Sequence, residues 1–447
     1  MNIKIFTVSA LTLAFAASSA VAKVSSQEAT KLGAELTGVG AEQSANENGS
    51  IPAYTGGLVE NISGDPYKNI YEKESPLFII NSTNLEQYKL NLTVGQLAMF
   101  NKYPDTYTMP IYPTHRTANF PKKIFKKAKE NATSAQLLAS GNGLIKFDET
   151  IPFAIPKSGL EVIWNHITRY RGGSVTLNRA LIPVQRDGTY TPIKVRAQFS
   201  PPQYLAQGYN AKKDKNILFY YTEQVKSPAR LTGNVLLVHE TIDQVNEPRK
   251  AWVYNAGQRR VRRAPQVAYD APDTTGFGTS DQTDMYNGAP NRYDWKIIGK
   301  KEIYIPYNSY KLMDENTKYS NIVAPGHINQ EHSRYELHRV WHVEATLKEG
   351  ARHVYGKRSL YIDEDSWQVA IADHYDSRGE LWRVSEGHSM QFVNANTPWY
   401  VAITNYDLLS GRYVVELNNE ERNAFVFNSK MKRKDFTTAS IRRKGKR

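Results

Sequence analysis

A series of aromatic-rich stretches separated by short turns constrains the fold more than any other feature of this sequence. From Ser174 to Leu417, stretches in which apolar and polar residues alternate recur at the spacing of β-hairpins. About a dozen strands with few helices between them are typical of a curled or barrel-like antiparallel sheet. We therefore predict a mainly β (α+β) chain with one large curled antiparallel sheet, or half-barrel, a few covering helices and a long N-terminal arm. The predicted strands are Ser174–Val184, Tyr190–Phe199, Asn216–Gln224, Gly233–Thr241, the two arms of a hairpin at 251–263, Asp294–Pro306, Arg334–Leu347, His353–Asp363, Gln368–Asp376, Gly379–Phe392 and Trp399–Leu417.

The hairpin at 251–265, AWVYNAGQRRVRRAP, combines an aromatic strand with a basic strand. Asn255-Ala256-Gly257 between them favours a turn, since Asn and Gly accept positive φ. We predict that the arginines of the second strand hold a ligand headgroup or dock on a partner. These are Arg259, Arg260, Arg262 and Arg263.

Residues 1–22 have the features of a secretory signal peptide. Lys4 precedes the apolar run Ile5–Ala17, and Ala20-Val21-Ala22 is a small-x-small cleavage site. We expect cleavage after Ala22. The sequence contains no cysteine, and a secreted eukaryotic protein of this size would usually carry disulfides. Together these features predict export to a bacterial periplasm.

The positive charge is concentrated in two segments. The formal net charge is +13, and residues 430–447 hold nine Lys or Arg against one Asp. Residues 122–130 hold five Lys against one Glu, so the rest of the mature chain is close to neutral. We expect no nucleic-acid partner, and we expect the basic tail to allow peripheral contact with anionic lipid or with an acidic protein.

Four regions follow from this pattern: the signal at 1–22, an N-terminal arm with helices at 23–143, the β region at 144–429 and the basic tail at 430–447. The predicted helices are Ser25–Leu36, Leu85–Tyr103, Pro121–Gly141 and Ser158–Tyr170. Asp105–Pro121 has the character of an extended arm lying on other structure. Asp270–Ala289 is a long loop of the kind that forms lids. The tail after Ser429 is expected to be poorly ordered on its own.

Motifs of known chemistry are missing from the sequence. There is no P-loop, dinucleotide fingerprint or Gly-x-Ser-x-Gly elbow. His338 and His342 share a strand face but lie about 13 Å apart at ~3.3 Å per residue, too far to chelate one ion. We interpret them, with His327, His332 and His353, as polar positions on a partly solvated sheet face. We predict no enzyme activity, no cofactor and no metal.

Two runs of carboxylates leave a hydrolase as a weaker alternative. These are Asp363-Glu364-Asp365 and the run from Asp373 to Asp376. Glycosidase chemistry needs two carboxylates facing a cleft. A DED run between strands is more often a turn, in which Asp satisfies backbone donors. We favour the turn.

Apolar and aromatic residues on the strand alternations remain, and two interpretations stay open. They form an ordinary sheet core, or they line a cavity for a lipid-like ligand inside a curled sheet. The predicted cavity residues are Phe219, Tyr221, Val235, Leu237, Trp252, Tyr254, Ile303, Ile305, Val340, Tyr361 and Trp382.

Three long segments resemble a family of exported Gram-negative proteins, domain of unknown function family 1329. They are KLGAELTGVGAEQSANENGSIPAYTGG (31–57), HRVWHVEATLKEGARHVYGKRSLYIDEDSWQVAIADHYDSRGELWRV (338–384) and FTTASIRRKGKR (436–447). The hairpin at 252–263 and the strand entry DWKIIG (294–299) are in turn similar to the outer-membrane lipoprotein-sorting proteins LolA and LolB.

The resemblance implies a LolA/LolB-type half-barrel that holds acyl chains, and an association with resistance-nodulation-division type exporters. It carries no catalytic residue to this chain. We therefore predict a periplasmic carrier or accessory protein that binds a hydrophobic, lipid-like ligand for envelope lipid transport. The alternative is a scaffold subunit of an envelope export complex that uses the arm at 58–121 to bind protein rather than lipid.

Overall fold

The computed structural model describes residues 24–59, 64–244, 246–264, 269–421 and 423–446. The predicted signal peptide lies outside the described residues. The strands are β1 (Phe78–Ile80), β2 (Met109–Ile111), β3 (Gln136–Leu137), β4 (Leu144–Ile145), β5 (Val175–Val184), β6 (Ile193–Ser200), β7 (Ile217–Val225), β8 (Val235–Thr241), β9 (Lys250–Asn255), β10 (Arg260–Arg263), β11 (Tyr293–Pro306), β12 (Tyr335–Leu347), β13 (Lys357–Asp363), β14 (Val369–Tyr375), β15 (Leu381–Phe392), β16 (Thr397–Asp407), β17 (Tyr413–Leu417) and β18 (Phe425–Val426). The α-helices are α1 (Ser26–Ala29), α2 (Val94–Lys102), α3 (Lys122–Ser134), α4 (Gly159–Thr168), α5 (Ala211–Asp214), α6 (Tyr319–Ile322) and α7 (Thr438–Gly445).

One 16-stranded sheet organises the molecule. Its long antiparallel path runs β11-β12-β13-β14-β15-β16-β17-β5-β6-β7-β8-β9-β10, and β18 pairs with the start of β5. The arm contributes β1 and β2, and β2 meets the start of β12 in a parallel bridge at Ile111 and Tyr335. The edge strands β10 and β11 do not pair with each other, so the sheet stays open. The predicted fold class is confirmed.

Helices and arm segments cover both faces of the central strands. Every residue of β14 is buried, as expected for a strand covered on both sides. One face packs against α2 through Met99 and Phe100. The other face packs against α3 and α4, with Ile124 and Trp164 at the centre of that core. The arm at 105–121 lies on the sheet as predicted, and Tyr107 and Met109 are fully buried.

The basic tail forms ordered structure, contrary to our expectation. Helix α7 begins at the cap residue Thr437, whose hydroxyl accepts a hydrogen bond from the Ser440 amide. It packs on the convex face of β7–β10, where Ile441, Phe436 and Met431 join Leu237 and Tyr254 in one apolar cluster. The tail is ordered because it supplies the apolar cover that this face needs.

Several element boundaries differ from the predictions. The helix expected at Ser25–Leu36 ends at Ala29, and the chain then turns, with Gly33 at a φ of +87°. The helix expected at Leu85–Tyr103 is two short 3₁₀ turns followed by α2, which a Thr93–Gln96 capping box starts. Residues 399–417 form the two strands β16 and β17 rather than one.

The hairpin of β9 and β10 is present, with a different turn from the one predicted. Arg260 pairs with Asn255, so four residues at 256–259 make the turn. The residue with positive φ is Arg259, at +54°, rather than Asn255 or Gly257.

Candidate ligand-binding cavity

A cavity of about 490 Å³ lies against the concave face of strands β5 to β9, β16 and β17. The loop at 270–289 closes its other side with Pro272, Asp273, Thr274, Ser280, Thr283, Asp284 and Asn287. Residues Asn255, Pro272 and Thr274 are exposed and mark its mouth. Its volume falls within the range of about 300–1,000 Å³ that is typical of small-molecule sites.

Strand alternation and register place the apolar wall of this cavity. Phe199 lies opposite Tyr221, Tyr221 opposite Val238, and Val238 opposite Ala251. Directly opposed residues share a face of the sheet, so these side chains project to the same side. Further apolar members of the wall are Leu177, Phe219, Val225, Leu236, Val253, Trp399, Val401 and Ile403.

Part of this apolar wall is not covered by protein. Leu236, Val238 and Val253 are half-exposed although they lie in the middle of paired strands. Aliphatic surface left open inside a concave space is stabilised when an apolar ligand removes it from water. The cavity therefore has the chemical character of a site for a hydrophobic molecule.

A charged cluster lies within the same wall. The Arg179 guanidinium donates to Glu416 at 2.6 Å and to Glu223 at 3.0 Å, and the Tyr221 hydroxyl donates to Glu223 at 2.6 Å. Burial alone would lower the pKa of Arg179, but Glu416, Tyr221 and Glu223 outweigh it and raise this pKa well above its usual value. The wall therefore holds a fixed, ionised cluster that could orient a polar group of a ligand.

Ion pairs hold the second half of the covering loop to the segment that follows α4 and to strand β13 of the sheet. Asp284 accepts from Arg169 at 2.5 Å and from Arg171 at 2.6 Å, and Asp281 accepts from Arg358 at 2.6 Å. Burial would raise the pKa of both aspartates, but the facing arginines hold it well below the usual range. The carboxylates remain charged at neutral pH, so the loop stays fixed over the cavity.

The predicted cavity residues separate into two groups. The side chains of Phe219 and Tyr221 line the cavity, whereas Val235 borders it but points its side chain into the cluster on the other face of the sheet. Leu237, Trp252 and Tyr254 belong to the opposite face of the sheet, beneath α7, because Val235 pairs with Tyr254 and Leu237 with Trp252 on that face. Their assignment to the cavity is corrected.

The remaining predicted cavity residues lie on more distant strands. Ile303, Ile305, Val340 and Tyr361 form a separate buried cluster with Tyr307, Ala370 and Ile371. Trp382 lies on β15, where its indole N–H donates to Asp407 and Arg383 stacks on its ring. None of these five residues lines the cavity.

The hairpin arginines are divided between the two faces of the edge strand β10. Arg262 lies opposite Val253 and Arg260 opposite Asn255, so both project from the cavity face at its rim. Arg263 lies opposite Trp252 on the α7 face, and Arg259 is in the turn. Arg260 and Arg262 are exposed, and among the described residues no carboxylate forms an ion pair with either.

Several residues of the site were not predicted from the sequence. They include the ionic cluster of Arg179, Glu223 and Glu416 and the arginines Arg171 and Arg249. The sequence contains one signal for these residues, which is a charged residue at a strand position that faces the same side as the apolar wall. Arg179 in VTLNRALIPV and Glu223 in ILFYYTEQV are such positions.

The histidines predicted on a solvated face are mostly buried. His327, His338 and His342 are 4%, 1% and 6% exposed, which corrects that interpretation. Burial lowers the pKa of His342 to about 4 and also lowers that of His327. The rings of His327 and His342 therefore pack as neutral aromatic groups, and His342 stacks on Tyr361.

The carboxylate runs sit in turns and strands rather than in an open cleft. Asp363, Glu364 and Asp365 begin the turn between β13 and β14, as predicted, but all three are buried. Asp373 lies in β14 and accepts the Gly95 amide at the start of α2. Asp376 is in the next turn, where it accepts from the backbone of Arg378 and Glu380.

The comparisons with known proteins identify the family of this curled-sheet protein. The chain belongs to the family described as protein of unknown function DUF1329, whose model matches residues 79–442. It is 55% identical over 444 residues to an uncharacterized protein of Pseudomonas aeruginosa, covering 98% of this chain and 97% of the relative. The family predicted from the sequence is confirmed.

The comparison with solved structures matches proteins from two further bacteria. A Vibrio parahaemolyticus domain described as outer membrane lipoprotein-sorting has 12% identity and a TM-score of 0.44, covering 63% of this chain and 97% of that chain. A LolA superfamily protein from Nitrosomonas europaea has 12% identity and a TM-score of 0.37, covering 64% of this chain and 99% of that chain. Across the residues that the structure describes, no helix has the length and apolar character needed to cross a bilayer.

Proposed function

We propose that this protein is a periplasmic carrier or accessory protein that binds a hydrophobic, lipid-like ligand in the cavity between the sheet and the 270–289 loop. The observation that carries the proposal is the open apolar wall formed by Leu236, Val238 and Val253 inside a space of about 490 Å³. Burying an acyl chain there contributes about 0.8 kcal/mol per methylene without directional contacts. Such binding suits a reversible carrier. The signal-like residues 1–22 support a periplasmic location.

The polar end of the ligand is assigned to the rim of the cavity. Arg260 and Arg262 project from the cavity face of the edge strand without an ion-pair partner among the described residues. Guanidinium groups bind carboxylates and phosphates through paired hydrogen bonds. We therefore propose an anionic amphiphile whose apolar chain enters the cavity and whose headgroup stays at these arginines.

The convex face carries a second basic surface that suits contact with anionic lipid. Exposed cations of the tail and α5 lie there, joined by the ion pair between Arg433 and Asp214. They include Lys212, Lys213, Lys215, Lys432, Lys434, Arg442, Arg443 and Lys446. A surface of this kind gains about 1 kcal/mol per cation near an anionic membrane. We propose peripheral membrane contact here, and a resistance-nodulation-division type exporter as the transport partner.

Lipid analysis of the purified protein tests the carrier function. The wild-type protein from its native host should release a reproducible set of anionic lipids or fatty acids and should bind a fluorescent fatty acid. Val238→Trp fills the cavity and should lower this affinity at least about tenfold, since it removes the space for several methylenes. Leu409→Trp is the matched control, because Leu409 is 70% exposed and outside the cavity. A wild-type protein that is empty and binds no fatty acid would overturn the proposal.

One observation favours the scaffold alternative. The arm between residues 77 and 94 exposes four large apolar side chains, Leu77, Ile79, Leu90 and Val94, and Leu90 is 87% exposed. Exposed apolar side chains mark protein contacts when they lie together. Crosslinking in cells separates the two functions. If Leu90→Lys abolishes a protein crosslink while fatty-acid binding is unchanged, the scaffold role is supported.

A further inference from the structure

The turn between β13 and β14 brings one histidine and two aspartates together. Asp363 lies opposite Val340 of β12, and His338 is two residues earlier on the same face. Asp365 follows in the turn. One ligand atom from each of the three side chains lies within 4.8 Å of the other two. The three residues are 1%, 1% and 3% exposed, so water does not solvate them freely.

Two of these buried side chains have a polar atom without a partner. Nδ1 of His338 and Oδ1 of Asp363 form no hydrogen bond among the described residues. The other oxygen of Asp363 accepts from the Ser366 amide and hydroxyl at 3.0 and 2.6 Å. A buried polar atom left unsatisfied costs about 1–3 kcal/mol, so both atoms favour a further group at this position.

Glu336 limits what that further group can be, because it fixes which ring nitrogen of His338 carries the proton. It lies 3.2 Å from Nε2 of His338, and a carboxylate can only accept a hydrogen bond. In the neutral ring the proton therefore resides on Nε2, and Nδ1 presents a lone pair. Nδ1 and Oδ1 of Asp363 are then both acceptors and cannot bond to each other. A cation between them satisfies both, and a carboxylate that accepts the second ring N–H is the usual support of a metal-binding histidine.

In the described part of the chain, the lysine and arginines around this site form ion pairs with other carboxylates, and none of them pairs with Asp363. Asp365 pairs with Arg116 at 2.7 Å, Glu364 with Lys300 at 2.7 Å, and Glu336 with Arg334 at 2.6 Å. Among the described residues no lysine or arginine forms an ion pair with Asp363. Each oxygen of Asp365 keeps a second lone pair beside its bond to Arg116, so it can still act as a ligand.

We propose that His338, Asp363 and Asp365 bind a single divalent first-row transition metal ion. One imidazole nitrogen with two carboxylates is a ligand set that zinc accepts, and zinc binds such sites more tightly than manganese or ferrous iron. The ion would tie β12 to the β13–β14 turn, and through Arg116 to the N-terminal arm. This site is separate from the proposed lipid cavity, so either can fail without the other.

Metal titration of the mature full-length protein tests the site. After treatment with EDTA and desalting, wild-type protein titrated with zinc chloride should bind one equivalent, and the bound zinc should raise its melting temperature. His338→Gln keeps an amide near Glu336 but removes Nδ1, and Asp363→Asn removes a ligand charge. Each should weaken zinc binding at least about tenfold, since supporting groups alone account for about 10–100-fold. Melting curves in EDTA check that each variant is folded.

His342→Gln provides the matched control. His342 lies on the same strand and its ring nitrogens are also unpartnered, but it is not part of the three-residue group. This variant should bind zinc like the wild type. X-ray absorption of zinc-loaded wild type needs no variant and should show one imidazole with oxygen ligands. No stoichiometric zinc in the wild type, or equal binding in His338→Gln and Asp363→Asn, would overturn the proposal.

Discussion

Asp281 and Arg358 form a buried ion pair that joins the loop over the cavity to the middle of the sheet. The Arg358 guanidinium donates to Asp281 at 2.6 Å. The Arg358 side chain is 0% exposed and the Asp281 side chain is 2% exposed. The rings of Tyr286, Tyr293 and Tyr355 surround the guanidinium at 5.0–5.4 Å from their centroids. Asp281 is the charge partner of this cation. Two of the three guanidinium nitrogens, Nε and Nη1, have no hydrogen-bond partner among the described residues.

Replacing Asp281 should therefore loosen the loop and destabilise the protein. Asp281→Asn leaves a buried arginine without a counter-charge, and we expect a loss of about 3–5 kcal/mol in the free energy of unfolding at pH 7. Urea denaturation measures this loss. Asp273→Asn is the control in the first half of the same loop; Asp273 is half-buried, and asparagine keeps an oxygen that can accept the Thr275 and Gly276 amides, so this change should cost less than about 1 kcal/mol. An unchanged midpoint for Asp281→Asn would show that the pair does not hold the loop.

The stability that this pair contributes should depend on pH in a defined direction. The arginine holds the pKa of Asp281 below its unfolded value of ~3.9. The contribution is therefore complete above that value and is lost as the pH falls through the lower folded pKa. The difference in unfolding free energy between wild type and Asp281→Asn should be constant from pH 6 to 8. It should shrink below about pH 4.

The division of the hairpin arginines between two faces leads to a paired test. The double variant Arg260→Glu, Arg262→Glu places negative charge at the cavity rim, and affinity for a fluorescent anionic amphiphile should fall about tenfold or more. Arg263→Glu changes the same strand on the other face and should stay within about twofold of wild type. Titration at two salt concentrations measures both, because exposed charge effects weaken with salt. Equal losses in both variants would place the headgroup elsewhere.

Strand positions were predictable from the sequence because alternation with period two is a local signal. All but the last of the strands predicted between Ser174 and Leu417 have a single counterpart, within a few residues at each end. The facing direction was harder to predict in β8 and β9. There both faces are apolar, since one packs on α7 and the other forms the cavity. Alternation therefore cannot decide whether Trp252 or Val253 faces the cavity, and only the position of the tail decides between them.

The polar parts of the molecule depend on contacts that the sequence does not display. Asp281 and Arg358 are 77 positions apart, and Arg116 and Asp365 are 249 apart. A local pattern cannot show which charges will meet over such separations. The turn at Asp363–Asp365 was predictable from its residue types, but its burial requires the arm that carries Arg116. For the same reason, the sequence did not show that His338 of β12 lies beside Asp363 and Asp365 at the end of β13.

Gly95 should be essential for the docking of α2 on the sheet. Its amide donates to Asp373 at 3.0 Å, and a Cβ at this position would lie 2.1 Å from Oδ1 of Asp373. Gly95→Ala should reduce the free energy of unfolding by about 1–3 kcal/mol through overpacking, although alanine is the better helix former. Val94→Ala is the neighbouring control, at a side chain that is 52% exposed. Denaturation midpoints of the two variants measure the difference, and equal midpoints would contradict this packing.

Glu386 should make the protein less stable as the pH rises from about 4 to 7. Its carboxyl group is 1% exposed and lies beneath the hydroxyls of Tyr335 and Tyr107, and burial raises its pKa to about 7. The folded state therefore retains a proton that the unfolded chain releases near pH 4. The stabilising contribution of the protonated group is complete below the unfolded pKa and is lost as the pH rises through 7.

Glu386→Gln keeps the shape of this group and removes its titration. The variant should be more stable than wild type at pH 8 by about 2–3 kcal/mol, and this advantage should decline toward pH 4. Urea unfolding of both proteins at intervals between pH 4 and 8 gives the two curves. Glu380→Gln is the control, because the Glu380 side chain is 67% exposed and should leave the curve unchanged. If Glu386→Gln is parallel to wild type across this range, Glu386 is ionised in the folded protein and the tyrosine hydroxyls stabilise its charge.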